Sequence, residues 1–206
     1  MRFDNVNPGE HPELLVIGLG NYDKRLADTR GSIGFDVIDY IGSVSSLGSG
    51  CKRQLHSSFC DKCLLDGVYL FIAKPNVFMD NVGMSVNDIM KYYRMHSERL
   101  IVIYGDSNVP AGQFNMSFGK EEIVHNGIKS IIQHIKTDEF MRIAVGVGNP
   151  PDDESKVRYM NSTPSKDEYN LIKNKYPLIK KAIISVTKYG VERTIKAFEV
   201  SKANIR

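Results

Sequence analysis

Residues 14–19, Leu-Leu-Val-Ile-Gly-Leu, restrict the fold more than any other stretch of the chain. The run is short, almost wholly apolar and without polar alternation, which is the pattern of a strand buried on both faces. It breaks at Gly18 and Gly20, passes through a polar loop over residues 21–30, and resumes as a helical pattern. In that pattern Ile33, Phe35, Val37, Ile38 and Ile41 share one face. Ser32 stands where an N-cap is expected. A strand, a loop and a helix in this order read as the start of an open α/β sheet. Such sheets place their sites just beyond the carboxyl ends of the strands, and here that position is held by Asn21.

Three more buried-strand patterns follow, at residues 68–73, 100–104 and 141–148. Residues 59–65 read as a further strand, joined to residues 68–73 by Asp66-Gly67, a two-residue hairpin turn. Residues 113–118 alternate like an edge strand. Helices are expected at about 85–93, 126–135, 165–189 with a break near Tyr176-Pro177, and 191–202. The pattern predicts an α/β chain, a single-domain mixed sheet flanked by helices. Residues 1–12, with Pro8, Gly9 and Pro12, read as an irregular leader to one domain over 13–206. Residues 42–50 read as a Ser/Gly-rich connection, and residues from Pro150 onward begin a polar loop.

Composition enters where it excludes classes. The chain has 206 residues, 42% hydrophobic and 25% charged, with a formal net charge of +3. A core of useful size is expected, and an RNA partner is permitted without being required. There is no run of 18 apolar residues, and the N-terminus resembles neither a secretory nor an Arg-rich transit signal, so no membrane partner and a cytoplasmic location are expected. Cys51, His56, Cys60 and Cys63 supply four potential zinc ligands. A single C-x-x-C lying in a strand pattern reads instead as reduced thiols, and neither a metal nor another cofactor is expected. Lysines and arginines from Lys173 to Arg206 make the C-terminal third basic. That arrangement fits a solvated helix face or an RNA surface.

Five landmarks add a resemblance. Residues 18–21 with 29–35 read GLGN…TRGSIGF; residues 74–83 read KPNVFMDNVG; residues 104–112 read YGDSNVPAG; residues 125–131 read HNGIKSI; residues 142–150 read RIAVGVGNP. In order and spacing they are similar to the bacterial-type peptidyl-tRNA hydrolase family, enzymes that free tRNA from prematurely released peptides. The resemblance implies that family's fold and, as substrate class, peptidyl-tRNA. In the family a His oriented by an Asp activates water for attack on the ester, with Asn side chains placing water and peptide.

Carried over by motif, the base position is Gly31, its partner position is Gly105, and the FMN asparagine is Asp80. Asn21, Asn126 and His125 remain as substrate- or tRNA-binding candidates, with Asp106 one residue along and Lys120 in the preceding loop. Asn126 and Asp80 can also be read as helix caps. The loop at residues 119–124, Gly-Lys-Glu-Glu-Ile-Val, replaces a glycine-rich one and adds two carboxylates that disfavour a phosphate backbone. These residues favour an RNA-associated or partner-binding factor that kept the fold and lost the base, binding tRNA, another RNA or a protein. The alternative is an active peptidyl-tRNA hydrolase with a relocated base, for which Asp23, Asp28 and Asp106 are carboxylate candidates.

Overall fold

The computed structural model describes residues 13–46, 53–55, 58–119 and 124–203. Seven strands form one mixed sheet in the order β2-β3-β4-β1-β5-β7-β6. They are β1 (Leu14–Gly18), β2 (Arg53–Leu55), β3 (Ser58–Leu65), β4 (Val68–Pro75), β5 (Leu100–Asp106), β6 (Phe114–Phe118) and β7 (Met141–Gly146). The four inner strands β4, β1, β5 and β7 run parallel, β3 and β6 run against them, and β2 pairs antiparallel with β3 at the edge. The β3–β4 hairpin turns at Asp66 (φ 48°) and Gly67 (φ 82°), the two left-handed positions that this turn needs.

Seven α-helices cover the sheet among the described residues: α1 (Ile33–Ser43), α2 (Val82–Tyr93), α3 (Asn126–Ile135), α4 (Lys156–Met160), α5 (Lys166–Lys173), α6 (Tyr176–Tyr189) and α7 (Val191–Ala203). Alternate residues of β1 serve opposite layers. Leu14 and Val16 pack with Ile38, Ile41 and Ile183 of α1 and α6. Leu15 and Ile17 pack with Val86, Ile89 and Ile131 of α2 and α3. A strand buried on both faces needs apolar residues at every position, which is why its sequence shows no alternation.

β1 connects through α1 toward the β4 side of the sheet, and β4 returns through α2 to β5 on the other side of β1. The connections therefore part in opposite directions beyond the carboxyl ends of β1 and β5, where a crevice forms. Asn21 lies just past the end of one strand, and Gly105 and Asp106 lie at the end of the other.

The sequence reading needs three corrections here. Ser32 occupies the N-cap position of α1 but makes no capping hydrogen bond. Its Oγ donates to the Leu26 carbonyl (2.8 Å) and accepts from the Asn21 N–H (3.1 Å), so it braces the polar loop instead. The stretch read as a loop after Pro150 contains α4, capped by Ser155. The break expected near Tyr176-Pro177 falls just before that pair, at residues 174–175 between α5 and α6, and the proline sits in the first turn of α6. The short strand β2 was not legible, because three residues pairing at an edge leave no periodic signal. Cys51 and His56 lie outside the described residues. Cys63 is buried, with Sγ 3.9 Å from the Ile41 carbonyl, and burial pushes its thiol pKa up.

Where α1 meets α5 and α6, Asp36 lies half-buried and hydrogen-bonded to Tyr169, which adjoins the fully buried Tyr176. Burial raises the Asp36 pKa from 3.8 to about 6, against the lowering effect of Tyr169. The folded state thus holds this proton more tightly than the unfolded chain does, and ionisation between pH 4 and 6 costs stability. Asp36→Asn is expected to stabilise the protein by about 2 kcal/mol at pH 7 and to leave it unchanged near pH 3.5. Urea unfolding at the two pH values checks this.

Candidate active-site cleft

A cleft of about 460 Å³ opens beyond the carboxyl ends of β1 and β5, between the start of α3 and the segment carrying α4. Asn21, Gly31, Gly105, Asp106, His125 and Asn126 all line it, so six candidates from three separate landmarks meet in one place. One candidate among the described residues does not join them. Asp80 is exposed in a 3-10 turn (Met79–Asn81) and is absent from the cleft wall, where Met79 stands instead. It does not cap α2 either; its backbone carbonyl accepts from Ser130 Oγ at 2.6 Å. Lys120 lies outside the described residues.

The polar loop holds Asn21 from two sides. Its backbone N–H donates to Ser32, and its Nδ2 donates to Thr29 Oγ1 at 3.2 Å. The side-chain carbonyl is left without a partner among the described residues, an acceptor facing the cleft. Neighbouring Arg30 is buried and reaches away from the cleft. It donates to Ser162 Oγ (2.8 Å), pairs with Glu168 (2.9 Å) and stacks 4.1 Å above the Tyr159 ring. Glu168 also completes the capping box of α5 with Ser165. Through Arg30 the loop bearing Gly31 is fixed to the α4–α5 segment, whose Met160 and Asn161 form the opposite wall.

Space at the two glycines differs. A Cβ built on Gly31 would lie 3.1 Å from Asn21 Nδ2 and 3.2 Å from the Met160 carbonyl oxygen, tight but short of a clash. A Cβ on Gly105 would lie 2.5 Å from the carbonyl oxygen of Arg30, a backbone atom. The end of β5 and the polar loop touch there in a way that only glycine permits.

At the start of α3 the cap falls to His125 rather than Asn126. Its Nδ1 accepts from the Gly127 N–H at 3.1 Å, and Asn126 becomes the first residue of the helix, exposed in the cleft mouth. The imidazole leans on Tyr104 with centroids 4.7 Å apart. Burial lowers its pKa to about 4, with Asp106 acting upward and Lys156 downward. Asp106 Oδ1 accepts from the Asn108 N–H at 2.8 Å. Asp23 is no candidate base: its hydrogen bonds with Arg25 hold its carboxyl at about 2, and it is not in the cleft wall. Asp28 is not in the wall either.

Sequence reasoning missed Ser107, Asn108, Arg142, Lys156 and Asn161 in the cleft wall. One of them carried a signal. Arg142 is a charge inside an apolar strand, and such a residue needs partners. Its Nε donates to Ser117 Oγ (3.2 Å) and its Nη2 to the Gly119 carbonyl. Lys156 and Asn161 belong to a segment whose folding back over the sheet no local pattern encodes. Of the basic tract, Lys173, Lys181, Lys188, Arg193 and Lys196 are exposed on α5–α7, Lys180 pairs with Asp66 at 3.4 Å, and Arg206 lies outside the described residues. Among the described residues no group of His, Cys, Asp and Glu is placed to hold a metal ion, and no helix is long and apolar enough to cross a membrane.

Comparison with known proteins agrees with this layout. The family model described as peptidyl-tRNA hydrolase matches residues 15–206. A peptidyl-tRNA hydrolase from Persephonella marina is 34% identical over 180 residues, covering 87% of this chain and 94% of its own. One from Clostridium botulinum is 34% identical over 191 residues, covering 93% and 99%. The crystal structure of peptidyl-tRNA hydrolase from Acinetobacter baumannii superposes with a TM-score of 0.81 at 20% identity, over 91% of this chain and 96% of that one. A sheet of this topology, a cleft at the β1/β5 switch point and a match through nearly the whole chain place the protein in the peptidyl-tRNA hydrolase family.

Proposed function

We propose that this protein binds the 3′ end of peptidyl-tRNA in the cleft and hydrolyses its ester slowly. Relatives that match over almost their full length carry the name of that activity, which supports both the substrate class and the reaction. The observation that carries the reduced rate is the pair of glycines. Gly31 and Gly105 stand where the family motif has the general-base His and its orienting Asp; among the described residues His125 is the one histidine in the cleft wall, and Asp106, the carboxylate there, accepts from the Asn108 N–H. His125 at about 4 is far too weak to draw a proton from water near neutrality.

What remains is suited to holding the substrate. Asn21 offers an acceptor braced by Thr29, and Asn126 offers an amide at the helix start. Water adds to the ester carbonyl carbon and the carbonyl electron pair moves onto oxygen; that pair then re-forms the carbonyl as the bond to the ribose oxygen breaks, and the ribose oxygen takes the proton that the added water gives up, leaving the peptide acid. The cleft orients these groups without a strong base, so a rate about 10²- to 10⁴-fold below that of a base-bearing relative is expected.

A second reading is a factor that binds tRNA and has no turnover, favoured by the same two glycines. Single-turnover hydrolysis of N-acetyl-aminoacyl-tRNA, run beside the Clostridium botulinum relative and with tRNA binding measured at two salt concentrations, separates the readings. Slow turnover abolished by Asn21→Ala supports the proposal. Binding without turnover replaces it with the second reading. A rate equal to the relative's would reveal a base elsewhere, and no binding would remove tRNA as the ligand.

A further inference from the structure

His125 is the one histidine in the cleft wall among the described residues, and its geometry assigns it a particular role. It sits at the N-cap of α3 in an extended backbone conformation (φ −75°, ψ 121°). A neutral imidazole has one accepting nitrogen and one N–H. Nδ1 accepts from the Gly127 N–H, so the proton is placed on Nε2, a tautomer assigned from this bond. The ring is half-buried against Tyr104, and Nε2 has no hydrogen-bond partner among the described residues. A ring fixed by a backbone bond at one nitrogen and unpaired at the other has a donor left over for a ligand.

The same arrangement removes the ring as a base. Protonation at Nδ1 would break the Gly127 bond and set a cation at the positive end of a ten-residue helix. The charged and titratable groups facing it are Asp106 and Tyr104 from β5, Lys156 from α4 and Arg142 from β7. Burial dominates over Asp106, with Lys156 on the same side as burial, and the ring stays neutral above about pH 5.

We propose that His125 is a permanently neutral hydrogen-bond donor of this cleft, presenting Nε2–H to the carbonyl oxygen of the bound ester. The assignment rests on the peptidyl-tRNA reading above. As water adds and negative charge collects on that oxygen, the bond strengthens, while the proton stays on Nε2 throughout. His125 thus supplies part of the electrostatic stabilisation that remains when base catalysis is weak.

The test uses ¹⁵N-labelled full-length protein and a CCA trinucleotide bearing an N-acetyl-aminoacyl group through a non-hydrolysable 3′ amide. The imidazole ¹⁵N signals of His125 should report the Nε2–H tautomer unchanged from pH 5.5 to 8. The Nε2 signal should move when the analogue binds. His125→Asn keeps a favoured capping side chain at this position and withdraws the donor, since its shorter amide stops short of where Nε2–H stands. It should retain the parent's unfolding midpoint and bind the analogue about 3- to 10-fold more weakly. A titration between pH 5.5 and 8, or an Nε2 signal that stays still while the analogue binds, overturns the donor role alone. Failure of the parent protein to bind the analogue overturns the peptidyl-tRNA reading and this assignment with it.

Discussion

Gly31→His is expected to raise single-turnover hydrolysis of a model peptidyl-tRNA by about 100-fold, the lower end of what a positioned general base contributes. The fit is tight: the new Cβ would lie 3.1 Å from the Asn21 amide and 3.2 Å from the Met160 carbonyl oxygen, so both must give by a few tenths of an ångström. A histidine at this exposed-to-half-buried position should titrate near its ordinary value of about 6.5. The variant's rate should therefore climb between pH 6 and 7, a step that the parent lacks. Adding Gly105→Asp should not raise the rate further. Its Cβ would sit 2.5 Å from the Arg30 carbonyl oxygen, so the loop carrying residue 31 must move. Such overpacking costs about 1–3 kcal/mol and displaces the base that it was meant to orient. The measurement is the pH–rate profile of parent, single and double variants, with unfolding midpoints alongside. A double variant faster than the single one at unchanged stability would show that the β5–loop contact is soft and that Gly105 is an incidental loss.

Arg30→Ala is expected to destabilise the protein by about 3 kcal/mol, toward the lower end for breaking a buried ion pair because Glu168 is partly exposed. The guanidinium is only 7% exposed and joins three elements at once: Ser162, Glu168 and the Tyr159 ring. Tyr159 in turn donates to the Val147 carbonyl at 2.9 Å, just past the end of β7. Removing Arg30 leaves Glu168 with its capping bonds to Ser165 and no cation, and opens a gap beside Tyr159. Amide exchange should speed up over residues 156–168 more than over β1 or β5, and binding in the cleft should weaken because Met160 and Asn161 lose their support. Burial works against the charge on Glu168, but the bonds from Ser165 and Arg30 outweigh it and hold its pKa below the ordinary value. Its contribution is present above the carboxylate range and fades as the pH falls through its lowered value. The gap in stability between parent and variant should shrink accordingly in acid. An equal gap at pH 7 and pH 3 would assign the loss to packing against Tyr159 instead.

The sequence by itself determined the sheet. Uninterrupted apolar runs can be satisfied only by strands covered on both faces, so β1, β4, β5 and β7 followed from residue pattern alone, whereas their parallel pairing and order belong to the folded chain. Asp66-Gly67 set the hairpin because both residues must take positive φ, a local demand with a local signature. Motif order also named Asn21, Gly31, Gly105, Asp106, His125 and Asn126, which the structure places around one cleft. Tertiary structure decided the rest, since the deciding contacts join residues far apart in the chain. Spacing could not show that His125 takes the cap and frees Asn126, because asparagine is the favoured capping type and only the folded loop decides which side chain meets the Gly127 N–H. It could not turn Asp80 outward, nor bring Lys156 and Asn161 across from a stretch that reads as loop. The contact between Gly105 and the Arg30 carbonyl is of the same kind. Whether a glycine marks a lost side chain or a place where two backbones must touch depends on what lies opposite, and only the folded chain supplies that neighbour.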